Sequence, residues 1–121
     1  MTNQLRTILL AVMLLLGGCD DDKGFQAYQR GDYAAALREW RPLAEQGDTG
    51  AQVMLGAMYH TGQGVIQDNV TAHMWANIAA SNGGETAAQL RDLVAEGMTP
   101  SQLEKAQDLA RECVRKQYKG C

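Results

Sequence analysis

The side chains able to do chemistry are few and scattered. Ser101 is followed by Gln102-Leu103-Glu104-Lys105, so the lysine stands one place beyond the Ser-x-x-Lys spacing of acylating serine enzymes. Ser81 has Gly84 three residues on. Thr61-Gly62-Gln63-Gly64-Val65 has the glycines of a phosphate loop. It lacks the lysine and following Ser/Thr that such a loop needs to hold phosphate and metal. Glu39 lies beside Arg38 and Arg41, and Asp92 beside Arg91, which reads as solvated charge rather than a buried acid–base pair. His60 and His73 stand alone, without the spacing of metal ligands. These patterns predict no catalytic residue, no metal and no cofactor.

The cysteines say more. Arg6 precedes Thr7–Leu16, an apolar run of ten residues (TILLAVMLLL), and Gly17-Gly18-Cys19-Asp20 follows. A positive start, a short apolar stretch and small residues make a secretory signal pattern. A membrane-crossing helix needs about 20 apolar residues, and this run stops sooner. Leu16-Gly17-Gly18-Cys19 resembles a bacterial lipobox. That resemblance implies cleavage before Cys19, acylation of its thiol and of the new N-terminus, and a leader over residues 1–18. Two or more acyl chains give stable attachment where one gives only marginal binding. An aspartate after the lipid cysteine, here Asp20, disfavours transfer to the outer membrane in many enterobacterial lipoproteins. The expected address is therefore the periplasmic face of the cell membrane, with the inner membrane slightly favoured over the outer. With Cys19 lipidated, Cys113 and Cys121 remain, and two cysteines in an exported protein predict a structural disulfide. A redox-active pair, the rival reading, usually has Cys-x-x-Cys spacing beside an α/β pattern.

The chain of 121 residues is enough for one domain. Its formal net charge is −3, and the loss of Arg6 with the leader makes it −4. Nothing in it resembles the basic stripe of a nucleic-acid protein. Arg111, Arg115, Lys116 and Lys119 cluster where a helix ends, and cations there complement the helix dipole.

What must position any functional group is a set of helices. Residues 19–23 read as a lipidated tether and 24–121 as the folded domain. Phe25 and Tyr28 are one helical turn apart. Gly31 breaks that helix, and Asp32 can cap the next. Tyr33, Leu37, Trp40 and Ala44 then form an amphipathic stripe, with Pro42 predicted to kink or break it. Ala51, Leu55, Met58 and Tyr59 recur at helical spacing. Gly62 can close that helix, and Asp68 can cap one that carries Ala72, Trp75 and Ala79 to Gly83. Glu85–Glu96 reads as a further helix, with Ala88, Leu90, Leu93 and Val94 as its apolar side. Thr99-Pro100-Ser101-Gln102 is a capping box with proline at the first helical position. It opens a last helix to about Tyr118, with Leu103, Ala106, Leu109, Ala110 and Cys113 on one stripe. No window alternates as a strand would. The prediction is all-α, in about three antiparallel helix pairs. A shift of 36 residues places Ala36 on Ala72, Ala44 on Ala80, Gly47 on Gly83 and Ala51 on Ala87.

Ala51, Leu55, Gly56, Tyr59, Gly62, Gly64, Asp68, Ala72, Trp75, Ala79, Ala80 and Gly83, at the spacing in which they stand here, resemble one full Sel-one-like repeat, a relative of the tetratricopeptide repeat. Gly24–Gly47 resembles a degenerate first copy, and Glu85–Tyr118 a divergent or capping third. The resemblance implies a short right-handed α-solenoid whose first helices line a concave face. It also implies binding of a protein or peptide rather than catalysis. Gln52 and His60, on the first helix of the central hairpin, are then the candidate partner contacts. Trp40, Trp75 and Tyr59 read as packing. The functional expectation is a membrane-anchored adaptor of the bacterial envelope, or an inhibitor or modulator of an envelope enzyme.

Overall fold

Aspartate and glycine punctuate this chain into helices. The computed structural model of the protein describes Gln4, Thr7 and residues 22–121. Cys19, Asp20 and most of the expected leader lie outside the described residues. Within 22–121 the protein is all-α, and no strand occurs among the described residues. The helices are α1 (Lys23–Gln29), α2 (Tyr33–Glu45), α3 (Thr49–Thr61), α4 (Asn69–Ser81), α5 (Glu85–Ala95) and α6 (Pro100–Arg115).

Each start has a local cause. The Asp32 carboxylate accepts from Ala35 N at 3.1 Å, and Asp68 accepts from Val70 N and Thr71 N at 3.0 and 3.2 Å. Both satisfy amide groups that have no partner inside the helix. The capping box forms, with Gln102 N donating to Thr99 at 3.1 Å and Thr99 N to Gln102 at 2.9 Å. Two further caps come from Asp22, which accepts from Phe25 N at 3.0 Å, and Asp48, which accepts from Ala51 N at 2.8 Å. Asp22 and Lys23, expected in the tether, therefore belong to the start of α1. Pro42 does not break α2, which is continuous through it. It sits in the last turns, where the helix forgoes the single bond that its nitrogen would donate to the Arg38 carbonyl.

Helices α2 and α4 both have 13 residues and start 36 residues apart. The turns after them are matched as well. Gly47 and Gly83 have φ of 94° and 93°, left-handed values that glycine adopts without a Cβ clash.

Helix α4 packs against α3, α5 and α6, while α2 packs against α1 and α3. The core holds Trp40, Met54, Leu55, Met58, Trp75, Ile78, Leu90 and Val94. Helix α3 is buried at every position from Ala51 to Met58, as a helix apolar on all sides should be. Gly56 permits its close approach to α4. A Cβ there would meet the Ala72 carbonyl oxygen at 3.2 Å and Leu90 Cδ2 at 3.3 Å. Trp40 lies against α1 in the same manner, with three of its ring atoms within 2.8 Å of where a Cβ on Gly24 would stand.

The C-terminal end departs from expectation. Helix α6 stops at Arg115, short of Tyr118. Gln117 and Tyr118 take φ of 56° and 66° and turn the chain back, and Tyr118 N donates to Cys113 O at 2.9 Å. A disulfide joins Cys113 to Cys121, with Cα atoms 5.7 Å apart. The returned tail reaches the first hairpin. The Tyr118 ring packs over Gly47, and Lys119 Nζ donates to Glu45 O at 3.5 Å. Leu109, placed on the buried stripe by its spacing, is exposed.

Candidate functional site

Helix α2 has two faces of different kinds. Ala36, Trp40 and Ala44 enter the core. Ala34, Leu37, Arg38, Arg41, Pro42 and Glu45 follow one another at spacings of three, one, three, one and three residues, and so line a second side of the helix. With Gly64 they bound an open groove of about 470 Å³. Leu37, Pro42 and Ala34 make its apolar floor, and Arg38, Arg41 and Glu45 its polar rim.

The loop after α3 closes one end. A Cβ on Gly64 would stand 2.9–3.1 Å from Tyr33 Cβ, C and O, so only glycine allows the loop to sit so close to α2 at its φ of 74°. Gln63 ties the loop down. Its Oε1 accepts from Tyr28 OH and from Thr61 Oγ1, each at 3.0 Å. The Tyr28 and Tyr33 rings pack tilted at 5.1 Å. Burial, foremost, raises the Tyr28 pKa above its usual value, the Gln63 bond opposes the rise, and Tyr33 adds to it. Tyr28 therefore stays a neutral donor. Arg41 is also held in place, its Nη2 donating to Tyr59 OH at 2.9 Å. Ile66, two residues past Gly64, is 91 % exposed.

The two residues expected to touch a partner do not share this groove. Gln52 is a correction to the sequence reading. It is 0 % exposed, its Nε2 donates to Ala44 O at 3.1 Å, and its Oε1 accepts from Asn82 Nδ2 at 3.5 Å. The cause is the position of α3 between α2, α4 and α5, which leaves only its two ends open. His60 lies in the last turn, half-buried, with Nδ1 3.0 Å from Asn69 Oδ1. Asn69 Oδ1 also accepts from Gln67 Nε2.

The residues that carry the resemblance to a repeat occupy structural positions. Ala51, Leu55, Ala72, Trp75 and Ala79 are buried, and Tyr59 and Ala80 are half-buried. Gly62 ends α3 in the left-handed conformation, and Asp68 caps α4. The groove residues were legible only as types. Leu37 packs against the core, as its stripe predicts, and also faces the groove, whereas Arg38 and Arg41 read in sequence as solvated charge. Their spacing on one side of α2 was available in the sequence, but the loop that makes that side a groove was not.

A second, smaller groove of about 280 Å³ lies between α4 and α6, lined by Asn77, Ile78, Ser81, Ala110, Arg111 and Val114 among others. Its arginine is already paired with Asp108. Among the described residues no cluster of His, Cys, Asp or Glu is arranged to hold a metal ion, and no helix is long and apolar enough to cross a membrane. His73 is 4 % exposed, with Nδ1 lacking a hydrogen-bond partner. Burial, foremost, lowers its pKa below the usual 6.5, the Arg91 charge lowers it further, and Asp92 opposes both.

Comparison with known proteins gives one partial likeness. Over 66 residues the chain is 36 % identical to a protein of Rhizobium leguminosarum bv. viciae named exopolysaccharide production negative regulator. The match covers 54 % of this chain and 25 % of that protein, so the chain matches about a quarter of the relative's length. No family model matches. No solved structure matches.

Proposed function

We propose that this is a lipid-anchored, non-enzymatic protein of the bacterial envelope that binds another protein through the α2 groove. The observation that carries this reading is the groove itself. It combines an apolar floor, a fixed arginine and a loop tied to α1, and none of its rim residues is needed to fill the core. A Sel-one-like repeat in a short right-handed solenoid is the architecture we assign to the helices. The equal lengths and 36-residue offset of α2 and α4 support it. Export rests on the run from Arg6 to Leu16, and anchoring on Cys19 within Leu16-Gly17-Gly18-Cys19, with Asp20 slightly favouring the inner membrane.

Within that reading, modulation of another protein's activity is favoured over passive scaffolding. The name of the Rhizobium relative, a negative regulator of exopolysaccharide production, supports this choice.

Two measurements test the proposal. Fractionation should find Cys19→Ala in the soluble envelope fraction and the unaltered chain in membranes. A variant that stays wholly in membranes would overturn the anchor. Photo-crosslinking from position 37 in the native envelope should trap a protein that a probe at Leu109, outside the groove, does not. Identical products from both positions would overturn the groove's role. Exopolysaccharide yield in a strain lacking the protein is the first readout for modulation.

A further inference from the structure

The charge state of the α2 groove defines what would fill it. Three ion pairs occur among the described residues, Arg91 with Asp92, Arg111 with Asp108 and Arg115 with Glu112. Neither arginine of the groove belongs to one. Arg41 spends a single N–H on the Tyr59 hydroxyl, which fixes the guanidinium and leaves it outside any ion pair. A guanidinium has five N–H donors in a planar fork, so most of its donors remain for a ligand. Arg38 lies one residue from Glu39 yet makes no ion pair with it. The two arginines are three residues apart on α2, which brings their side chains to neighbouring positions on the helix surface. Glu45 stands two turns beyond Arg38 and one turn beyond Arg41 on the same side of α2, and it forms an ion pair with neither. Leu37 and Pro42 flank the arginines with apolar surface.

We infer that the groove takes a protein segment in which a carboxylate side chain stands next to an apolar one, the carboxylate on Arg38 and Arg41 and the apolar group on Leu37 and Pro42. This rests on the protein-binding reading above and adds the chemistry of the partner. A carboxylate meeting a guanidinium makes charge-assisted hydrogen bonds, frequently bidentate, roughly twice as strong as neutral ones. Arginine fixed beforehand loses less freedom on binding than a mobile one. Electrostatic complementarity here acts against the chain's overall negative charge of −3, so selection is made by the groove and not by the molecule's general field. Glu45 supplies the negative element of discrimination, since a segment acidic throughout its length would bring a like charge to it.

The test is fluorescence anisotropy with the mature lipidated protein in detergent micelles. The probe is a fluorescein-labelled peptide of alternating aspartate and leucine. Its asparagine counterpart and an all-glutamate peptide of equal length are the comparisons. The aspartate–leucine peptide should bind about tenfold more tightly than the asparagine form, a difference of one charged contact. Arg38→Gln and Arg41→Gln should each erase most of that advantage, Leu37→Gln should weaken both leucine peptides, and Leu109→Gln should change nothing. Equal affinity for the aspartate and asparagine peptides, or indifference to the arginine substitutions, would overturn the inference. So would tighter binding of the all-glutamate peptide, which would make the site a charge patch without an apolar requirement. If crosslinking at position 37 traps a protein while the aspartate–leucine peptide fails to bind, the protein-binding reading stands and the carboxylate chemistry falls. If neither occurs, both fall.

Discussion

The guanidinium of Arg41 donates to the hydroxyl of Tyr59 across 2.9 Å, joining the outer side of α2 to the last turn of α3. The Tyr59 ring is half-buried against the core, yet its hydroxyl is what orients a side chain of the groove.

Tyr59→Phe should separate these two roles. The ring stays and the acceptor goes. Loss of one half-buried hydrogen bond should cost about 1 kcal/mol in urea unfolding. Affinity for an acidic–apolar peptide should fall several-fold as Arg41 regains its freedom. A variant with weakened stability and unchanged affinity would show that Arg41 needs no support.

Gly56 tests the α3–α4 crossing. Replacement by alanine gains about 1 kcal/mol of helix propensity. The new Cβ would stand 3.2 Å from the Ala72 carbonyl oxygen, a backbone atom that cannot rotate away. We expect Gly56→Ala to lower the melting temperature modestly and Gly56→Leu to cost roughly 1–3 kcal/mol or more through overpacking. Thermal unfolding followed by circular dichroism measures both.

His73 should make stability depend on pH. Its folded pKa is lowered, chiefly by burial, so near neutrality the fold holds the neutral imidazole. Below about 6.5 the unfolded chain binds a proton that the folded chain resists. Stability should therefore be highest at and above neutral pH and be lost as pH falls through the mid-6 range. Urea midpoints measured at intervals from pH 8 to 5 should decline, and His73→Gln should flatten that decline. A parallel decline in the variant would assign the effect to the carboxylates.

The Cys113–Cys121 bridge holds the tail on the first hairpin. Breaking it should cost roughly 2–3 kcal/mol by the loop-entropy model. It should also speed tryptic cleavage after Lys119, which the closed tail holds in place, and amide exchange near Gly47. Thiol labelling of the oxidised protein should find neither cysteine free.

Helix starts that rest on neighbours in sequence were readable. Asp32, Asp68 and Thr99 each accept from an amide two or three residues on, so periodicity and cap chemistry found them. Gly62 and Trp75 were legible for the same reason. Gln52 was not. Its partners are Ala44 and Asn82, 8 and 30 residues distant, and a polar residue satisfied at that range looks like a surface residue. The end of α6 was misplaced because two residues adopt left-handed φ to return the chain toward Cys113, and nothing in helical spacing encodes that. Leu109 shows the limit of a stripe argument. Helix α6 meets its neighbour along a line centred on Ala106, Ala110 and Cys113, narrower than its apolar residues. The groove depended on the loop after α3 reaching Tyr33, a contact made some 30 residues along the chain.

The returned tail has a mechanical consequence. Hairpins that touch only their neighbours along a stack flex at each joint, as a spring does. Here Lys119 reaches Glu45, 74 residues earlier, and Tyr118 leans on Gly47. The helical domain is thus buckled from its tail to the end of α2, and bending it means opening that clasp. Such a body should hold α2 in one shape, with stiffness supplied by the C-terminal tail.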